Sequence, residues 1–332
     1  MAVAGADINM LEVYTANFSP SKQPQAFPLQ GSKRGQVPVI NRLIPEGKPR
    51  LIEPFCGSAA MSIGARHGQR VGDVFISDAN KSLVQLWEAL LSSPEELAKG
   101  YEAVWGKQFE SGVNLDSREY FNQVRDRYND SVSGDPADFL FLLNRIVKAA
   151  LRYGKNGKMN QSADGRRVGA RPSVVRSRIM ATHNLLQGAQ VKLCDWREAI
   201  EQATESDVIY LDPPYQGTTD TRDRRYISGM SVETFEEGVR DDVEKGLSLI
   251  ISYDALRGPA IYGRPLDPSL KLLPLDVITG VSAQGTLLGR KQESHETIYL
   301  SPALVERLGG VHGVEEKISN GQEAIIGLQL DV

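Results

Sequence analysis

The sequence predicts an α/β protein, a sheet domain interrupted by a helical, basic insertion. Two observations predict it. Short apolar strands separated by helical stretches lie towards both ends of the chain, the pattern of a parallel sheet covered on both faces. Between them, roughly over 94–188, strand signals give way to helical ones. A chain of 332 residues is expected to hold about two units.

Taken in order, residues 1–26 have no clear period and several Ser, Pro and Gln, and read as an irregular N-terminal extension. Residues 50–55 read as a short buried strand, followed by the turn Cys56-Gly57-Ser58-Ala59-Ala60 and a helical run to about His67. Val71 to Ser77 is a second strand that ends at Asp78, and Lys81 to Leu91 is helical. In the insertion, Asp138–Leu151 fits one buried helix. Strand signals return at Val191–Cys194, Asp207–Leu211, Leu247–Ser252, Lys271–Val277 and Thr297–Leu300. The domains expected are therefore 27–93 with 189–300 for the sheet, 94–188 for the insert, and 301–332 as a tail without an assigned role.

Composition excludes several classes. Hydrophobic residues at 41% and charged residues at 24% are ordinary for a globular protein, which rules out wholesale disorder, a fibrous repeat or a small disulfide scaffold. Cys56 and Cys194 form no pairing pattern, and the four histidines are scattered, so no metal site is expected. The N-terminus carries Asp7 and Glu12 without a basic region or apolar core, unlike a secretory signal. No apolar stretch approaches the ~20 residues of a membrane helix. A soluble, cytoplasmic protein with no membrane partner is expected.

The net charge of −4 argues against a nucleic-acid partner, but its distribution does not. Residues 142–180 hold ten basic side chains and one acid, Asp164, and are +9; the remainder is −13. A local basic stripe is what phosphate binding needs, because affinity follows the charges that face the polyanion. Within the stripe, Gly154-Lys155-Asn156-Gly157-Lys158 and Asp164-Gly165-Arg166-Arg167 are turns whose glycines allow close backbone approach. A solvated helical face is the alternative reading.

Three motifs carry chemistry. The strand–turn–helix at 51–65 resembles a nucleotide-type site at the end of a first strand, with Gly57 allowing close approach and a helix start offering free N–H groups. It has neither the dinucleotide glycine fingerprint nor a P-loop ending. Asp78 ends the second strand, where an acid suits ribose hydroxyls or, equally, caps the next helix. Asp212-Pro213-Pro214-Tyr215 follows the apolar strand Val208–Leu211. Its prolines stiffen the turn and donate no N–H, so carbonyls and the Asp212 carboxylate can converge on one amino group. Tyr215 offers an aromatic face for a planar base, a contact worth ~1–3 kcal/mol.

These residues resemble the Dam-type N6-adenine DNA methyltransferases. Glu53-Pro54-Phe55-x-Gly57 is similar to that family's S-adenosylmethionine loop and Asp212-Pro213-Pro214-Tyr215 to its catalytic motif. Pro28-x-x-Gly31-Ser32-Lys33, Asp78-x-Asn80 and Cys194-Asp195-Trp196 resemble its other cofactor motifs. Leu143-Asn144-Arg145 and Gly157-x-Met159-Asn160 resemble its target-recognition segment. Leu29 and Ala59 stand where the family has an aromatic residue and a glycine.

The resemblance, over about 27–300, implies a Rossmann-like class I methyltransferase sheet with an inserted target-recognition domain. It implies methyl transfer from S-adenosylmethionine to adenine N6 in a flipped-out base of double-stranded DNA, with or without a cognate restriction endonuclease. It implies catalysis by Asp212, Pro213, Pro214 and Tyr215, and cofactor binding by Lys33, Glu53, Pro54, Phe55, Gly57, Asp78, Asp195, Trp196 and Asp212. DNA contacts would come from Asn144, Arg145, Lys148, Arg152, Lys155, Lys158 and Asn160. Alternatives are the same fold acting on cytosine N4, RNA or a protein amide, and a DNA-binding protein without turnover.

Overall fold

The computed structural model describes residues 23–110, 117–165, 167–213, 230–253, 256–257, 260–261, 264–281 and 293–326. Its centre is a seven-stranded sheet: β1 (Leu51–Glu53), β2 (Val74–Asp78), β3 (Gln190–Leu193), β4 (Val208–Leu211), β5 (Leu249–Ser252), β8 (Leu273–Val281) and β9 (Glu293–Leu300). The spatial order is β3-β2-β1-β4-β5-β9-β8, and a separate two-residue pairing joins β6 (Leu256–Arg257) to β7 (Ala260–Ile261). The first five strands are parallel, with Leu51 opposite both Val74 and Val208. β4 and β5 are buried along their whole length, as apolar runs without alternation require.

At one edge the sheet departs from parallel pairing. β9 runs antiparallel to β5, with Ile251 opposite Tyr299, and β8 runs antiparallel to β9. Antiparallel neighbours need no crossover helix, so two long strands close in sequence pair directly.

The order reverses between β1 and β4, because β1 leads outward to β2 and β4 leads to β5. Chains leaving adjacent strand ends in opposite directions open a crevice outside the sheet. The 54–59 turn and Asp212-Pro213 flank that crevice.

Helices cover the sheet: α1 (Val37–Ile40), α2 (Ala60–His67), α3 (Lys81–Ser92), α8 (Trp196–Ile200) and α9 (Val232–Glu244). α4 (Pro94–Gly106), α5 (Ser117–Asp130), α6 (Pro136–Arg145) and α7 (Pro172–Leu185) build the insert. Local signals set the starts. Asp135 caps α6 by accepting from Ala137 N–H at 2.7 Å, with Pro136 in the first turn. Gly64 in α2 is fixed by close approach, since a Cβ there would meet the Val37 side chain.

The predicted helix Asp138–Leu151 stops at Arg145. Ile146 is extended and bridges Ala163, and Lys148 and Ala149 both take positive φ, at 56° and 51°. The Ala149 carbonyl accepts from Gln30 N–H at 3.0 Å, a tertiary bond that a continuing helix would forgo.

The described parts of both ends pack into the fold. Ala26 and Phe27 are buried, and Gln23 Nε2 donates to the Ala60 carbonyl at 3.0 Å, so the described part of 1–26 belongs to the fold. The tail forms α10 (Pro302–Arg307) and α11 (Gly310–Ile326), whose Leu304, Leu308, Val314 and Ile318 are buried. Arg307 Nη1 donates to the Asp207 carbonyl at 2.9 Å, fastening α10 to the start of β4.

Sheet and insert share one apolar cluster that runs from Ile76 and Tyr210 through Trp87 to Tyr101, Phe121 and Phe141. Phe141 meets Tyr120 edge-on at 5.7 Å and lies under the Arg145 guanidinium at 5.6 Å. Phe141→Ala should therefore cost about 3–5 kcal/mol, read as a lowered urea midpoint with helical circular dichroism retained before the transition.

Candidate active site

β1 delivers the first wall of the crevice. Glu53 is buried, and its Oε2 accepts from Ser62 N–H at 2.8 Å and from the Ser62 hydroxyl. Burial pushes its carboxyl up to about 7; the Ser62 hydrogen bonds oppose this, and the nearby Asp212 charge adds to it. Pro54 then turns the chain, its carbonyl accepting from the Ser77 hydroxyl at 3.3 Å. Gly57 has φ +47°, and a Cβ added there would come within 3.2 Å of the Leu29 side chain. Its N–H donates to Asp78 Oδ2 at 2.9 Å, while its carbonyl accepts from Trp87 Nε1 at 2.9 Å. Ala59, in the left-handed region at φ +47°, starts α2 with its side chain fully buried.

Asp78 ties this turn to the next. Its Oδ1 accepts from Asn80 N–H at 2.8 Å, and Asn80 is itself the cap of α3, accepting from Ser82 N–H at 3.0 Å. The cap is thus Asn80, and Asp78 stands one step nearer the crevice. Burial pushes the Asp78 carboxyl above its ordinary range, and its backbone hydrogen bonds pull the other way.

The second wall follows β4. Asp212 Oδ1 lies 2.6 Å from Lys33 Nζ, and the lysine side chain is only 6% exposed. Lys33 is held by the segment behind it: its carbonyl accepts from Gln36 N–H at 2.8 Å. Gln36 Oε1 accepts from the Ser252 hydroxyl at 2.7 Å, which accepts from the Tyr210 hydroxyl at 2.8 Å. This buried chain pins the lysine's segment to β4 and β5. Pro213 is buried beside Asp212, while Pro214 and Tyr215 lie outside the described residues.

Phe55 and Trp196 stack at 5.9 Å with an interplanar angle of 29°. Trp196 is buried against Phe235 and Gly238, whereas Phe55 is half-buried, so Trp196 backs Phe55. Asp195 is exposed and caps α8 by accepting from Arg197 N–H at 2.9 Å. Ser58 donates to the Ser32 hydroxyl at 3.0 Å, a tie between the two cofactor-like motifs that no sequence pattern signals.

The residues named for DNA divide. Lys148, Arg152, Lys155, Lys158 and Asn160 are exposed, and Lys158 Nζ meets Asp130 at 2.8 Å. Asn144 donates back to the Leu140 carbonyl at 2.8 Å. Arg145 differs from these: its side chain is fully buried, bonded to Gln108 Oε1 and set over Phe141. Its position four residues after Phe141, on the same helix face, was the signal available. Tyr153, not singled out from the sequence, reaches the α3 cap, where Asn80 Nδ2 donates to its oxygen at 3.0 Å. Among the described residues no three His, Cys, Asp or Glu side chains gather as a metal site, and no helix is long and apolar enough to cross a membrane.

A seven-stranded sheet of this order, with paired loops at the reversal point, defines a class I methyltransferase fold. Residues 30–259 match the family described as D12 class N6 adenine-specific DNA methyltransferase, and the chain belongs to that family. It is 28% identical over 273 residues to the DNA N-6-adenine-methyltransferase of Escherichia phage P1, covering 79% of this chain and 34% of the phage protein. It is 24% identical over 246 residues to the retron Ec67 DNA adenine methylase of Escherichia coli, covering 72% and 76%. A DNA adenine methylase of Vibrio cholerae is 24% identical over 240 residues, covering 70% and 81%. The chain thus spans about a third of the phage protein and three quarters or more of the other two. Methylation of adenine N6 in DNA, with a methyl donor as cofactor, is the activity of this family.

The buried Glu53 gives a stability test. Its folded pKa lies above the unfolded value, so its protonated form favours folding and that contribution is lost as pH rises towards and past about 7. Glu53→Gln removes the loss. Its thermal midpoint relative to the parent should rise between pH 5 and pH 8, with a difference on the order of 3 kcal/mol at the higher pH.

Proposed function

We propose that the protein transfers a methyl group from S-adenosylmethionine to N6 of an adenine flipped out of double-stranded DNA. The observation that carries this reading is the Lys33–Asp212 pair at 2.6 Å on one side of the crevice, facing the Gly57–Asp78 contact at 2.9 Å on the other. The residues present fit the donor's chemistry. Beyond its backbone bonds from Gly57, Ala79 and Asn80, Asp78 keeps acceptor capacity for ribose hydroxyls, Phe55 offers a partly open ring, and Gly57 lets a ligand approach the backbone. When bound, the donor supplies an electrophilic methyl group on a sulfonium.

The chain's own residues do the rest. Adenine N6 is a poor nucleophile because its lone pair is delocalised into the ring. The Asp212 carboxylate and the Pro213 carbonyl accept its two hydrogens and draw the nitrogen towards tetrahedral geometry, freeing the lone pair for in-line attack. As the new C–N bond formed, the methyl carbon's bond to the sulfonium sulfur would break, the electron pair leaving with S-adenosylhomocysteine, and N6 would give up one proton towards Asp212. Lys33, paired with it at 2.6 Å, holds that carboxylate in place. Holding nucleophile and methyl carbon in near-attack geometry supplies much of the remaining acceleration.

A base inside a duplex is out of reach, so flipping costs a few kcal/mol. Tyr215 stacking and phosphate contacts from Lys148, Arg152, Lys155 and Lys158 offset that cost. On this reading 27–93 with 189–300 is the catalytic part and 94–188 the recognition part.

Asp212→Ala should abolish N6-methyladenine formation, measured by nucleoside mass spectrometry after incubation with unmethylated DNA, while leaving DNA affinity largely intact. Unimpaired turnover would remove Asp212 from the mechanism, and N4-methylcytosine as the product would move the acceptor. Replacing Lys155 and Lys158 together by Ala should lower the slope of log affinity against log salt by about 1.8, since each neutralised phosphate contributes about 0.9.

A further inference from the structure

The turn at Gly154–Lys158 is closed by Gly154 N–H donating to the Lys158 carbonyl at 2.8 Å, with Tyr153 paired to Met159 across it. One side of the turn is clamped to α5: Met159 N–H donates to Asn129 Oδ1 at 2.9 Å, and Asn129 Nδ2 returns to the Met159 carbonyl at 2.8 Å. The other side is clamped to the cofactor-like motif. Tyr153 Oη accepts from Asn80 Nδ2 at 3.0 Å, Asn80 N–H donates to Asp78 Oδ1 at 2.8 Å, and Asp78 Oδ2 accepts from Gly57 N–H at 2.9 Å. Four residues therefore link the basic turn to the crevice through hydrogen bonds no longer than 3.0 Å. Burial pushes the Tyr153 hydroxyl up, so it stays protonated at neutral pH.

We propose that Tyr153 is a positioning residue that transmits DNA occupancy of the basic turn to the cofactor carboxylate Asp78, making DNA binding and cofactor binding mutually reinforcing. The inference rests on the reading of Asp78 as a cofactor-holding residue. Lys155 is exposed, and Lys158 pairs with Asp130 at 2.8 Å, an ion pair with both side chains at least half exposed. Exposed pairs of this kind contribute ~0–1 kcal/mol, so a DNA phosphate can replace Asp130. A turn held by phosphates holds Tyr153, which fixes the Asn80 amide and so the aim of the Asp78 carboxylate. Reciprocity then requires bound cofactor to tighten DNA by the same factor.

Asn80 serves two masters here, since its Oδ1 also caps α3. Tyr120 on α5 supplies an internal comparison. It donates to the Val104 carbonyl at 2.7 Å, tying two helices of the insert together away from Asn80 and Ser82.

The test is calorimetric titration of S-adenosylhomocysteine into the full chain, with and without saturating unmethylated genomic DNA fragments. The parent should bind it more tightly with DNA, by about 5- to 150-fold. Tyr153→Phe keeps the ring and loses the hydroxyl; its factor should fall to within about twofold of unity, with affinity in the absence of DNA and the thermal midpoint near parental. Tyr120→Phe should keep the parental factor. An unchanged factor in Tyr153→Phe overturns the inference, as does an equal loss in both variants, which would mean a general loosening of the insert, or a parental factor of one. Failure of the parent to bind S-adenosylhomocysteine at all would instead overturn the cofactor reading, and this inference with it.

Discussion

Lys33 and Asp212 are 179 residues apart in sequence and 2.6 Å apart in space, and much of the architecture consists of what brings them together. A lysine this deeply buried is costly unless its charge is matched, because desolvation of an ion costs several kcal/mol even after relaxation. The match requires Asp212 at the end of β4 and a fixed path for the segment carrying Lys33. The first follows from a strand buried along its whole length, whose register against β1 and β5 leaves no freedom to slip. The second follows from the Tyr210–Ser252–Gln36 chain, which ties the same segment to the two central strands.

Charge balance extends beyond the pair. The Asp212 charge adds to the burial that raises the Glu53 carboxyl, while hydrogen bonds from Ser62 and Met61 oppose it. Asp212, with a lysine at hydrogen-bond distance and more access to solvent, is the one left as an acceptor. Two carboxylates in one crevice thus take different roles because their surroundings differ, the same logic that separates acids from bases in other active sites.

The parts of the site legible in the sequence were those written in local pattern. A short apolar run followed by Gly57, another ending at Asp78, and a third running into Asp212-Pro213 each announced a strand end, and the parallel sheet aligned the three ends at one crevice. What was not legible depended on tertiary partners. The helix predicted to Leu151 breaks after Arg145 because Ile146 and Ala149 find hydrogen bonds elsewhere, at Ala163 and Gln30. Charge counting placed Arg145 with the other basic residues, yet counting is blind to burial, and Gln108 and Phe141 enclose it. Nothing in the sequence around Tyr153 says that its hydroxyl meets Asn80. The antiparallel β8–β9 edge and the helical tail escaped for the same reason: strand direction and packing of an amphipathic segment are decided by what lies opposite.

α3 ties the insert and the sheet domain into one body although they arise from separate stretches of chain. Its first residues collect Tyr128 and Tyr153 from the insert, through Ser82 and Asn80. One turn later Trp87, fully buried, crosses to the other side, its indole N–H on the Gly57 carbonyl and its ring 5.2 Å from Phe27. A helix is stiff over this length, so a shift imposed at its N-terminus is felt at Trp87 and at the turn whose carbonyl Trp87 holds. Because the apolar cluster runs unbroken from the sheet through α3 into α4, α5 and α6, there is no soft boundary where such a shift could dissipate. Close-packed interiors transmit displacement because little free volume is available to absorb it. The insert is therefore continuous with the core of the sheet domain, and its basic turn is joined by hydrogen bonds to the turns that end β1 and β2.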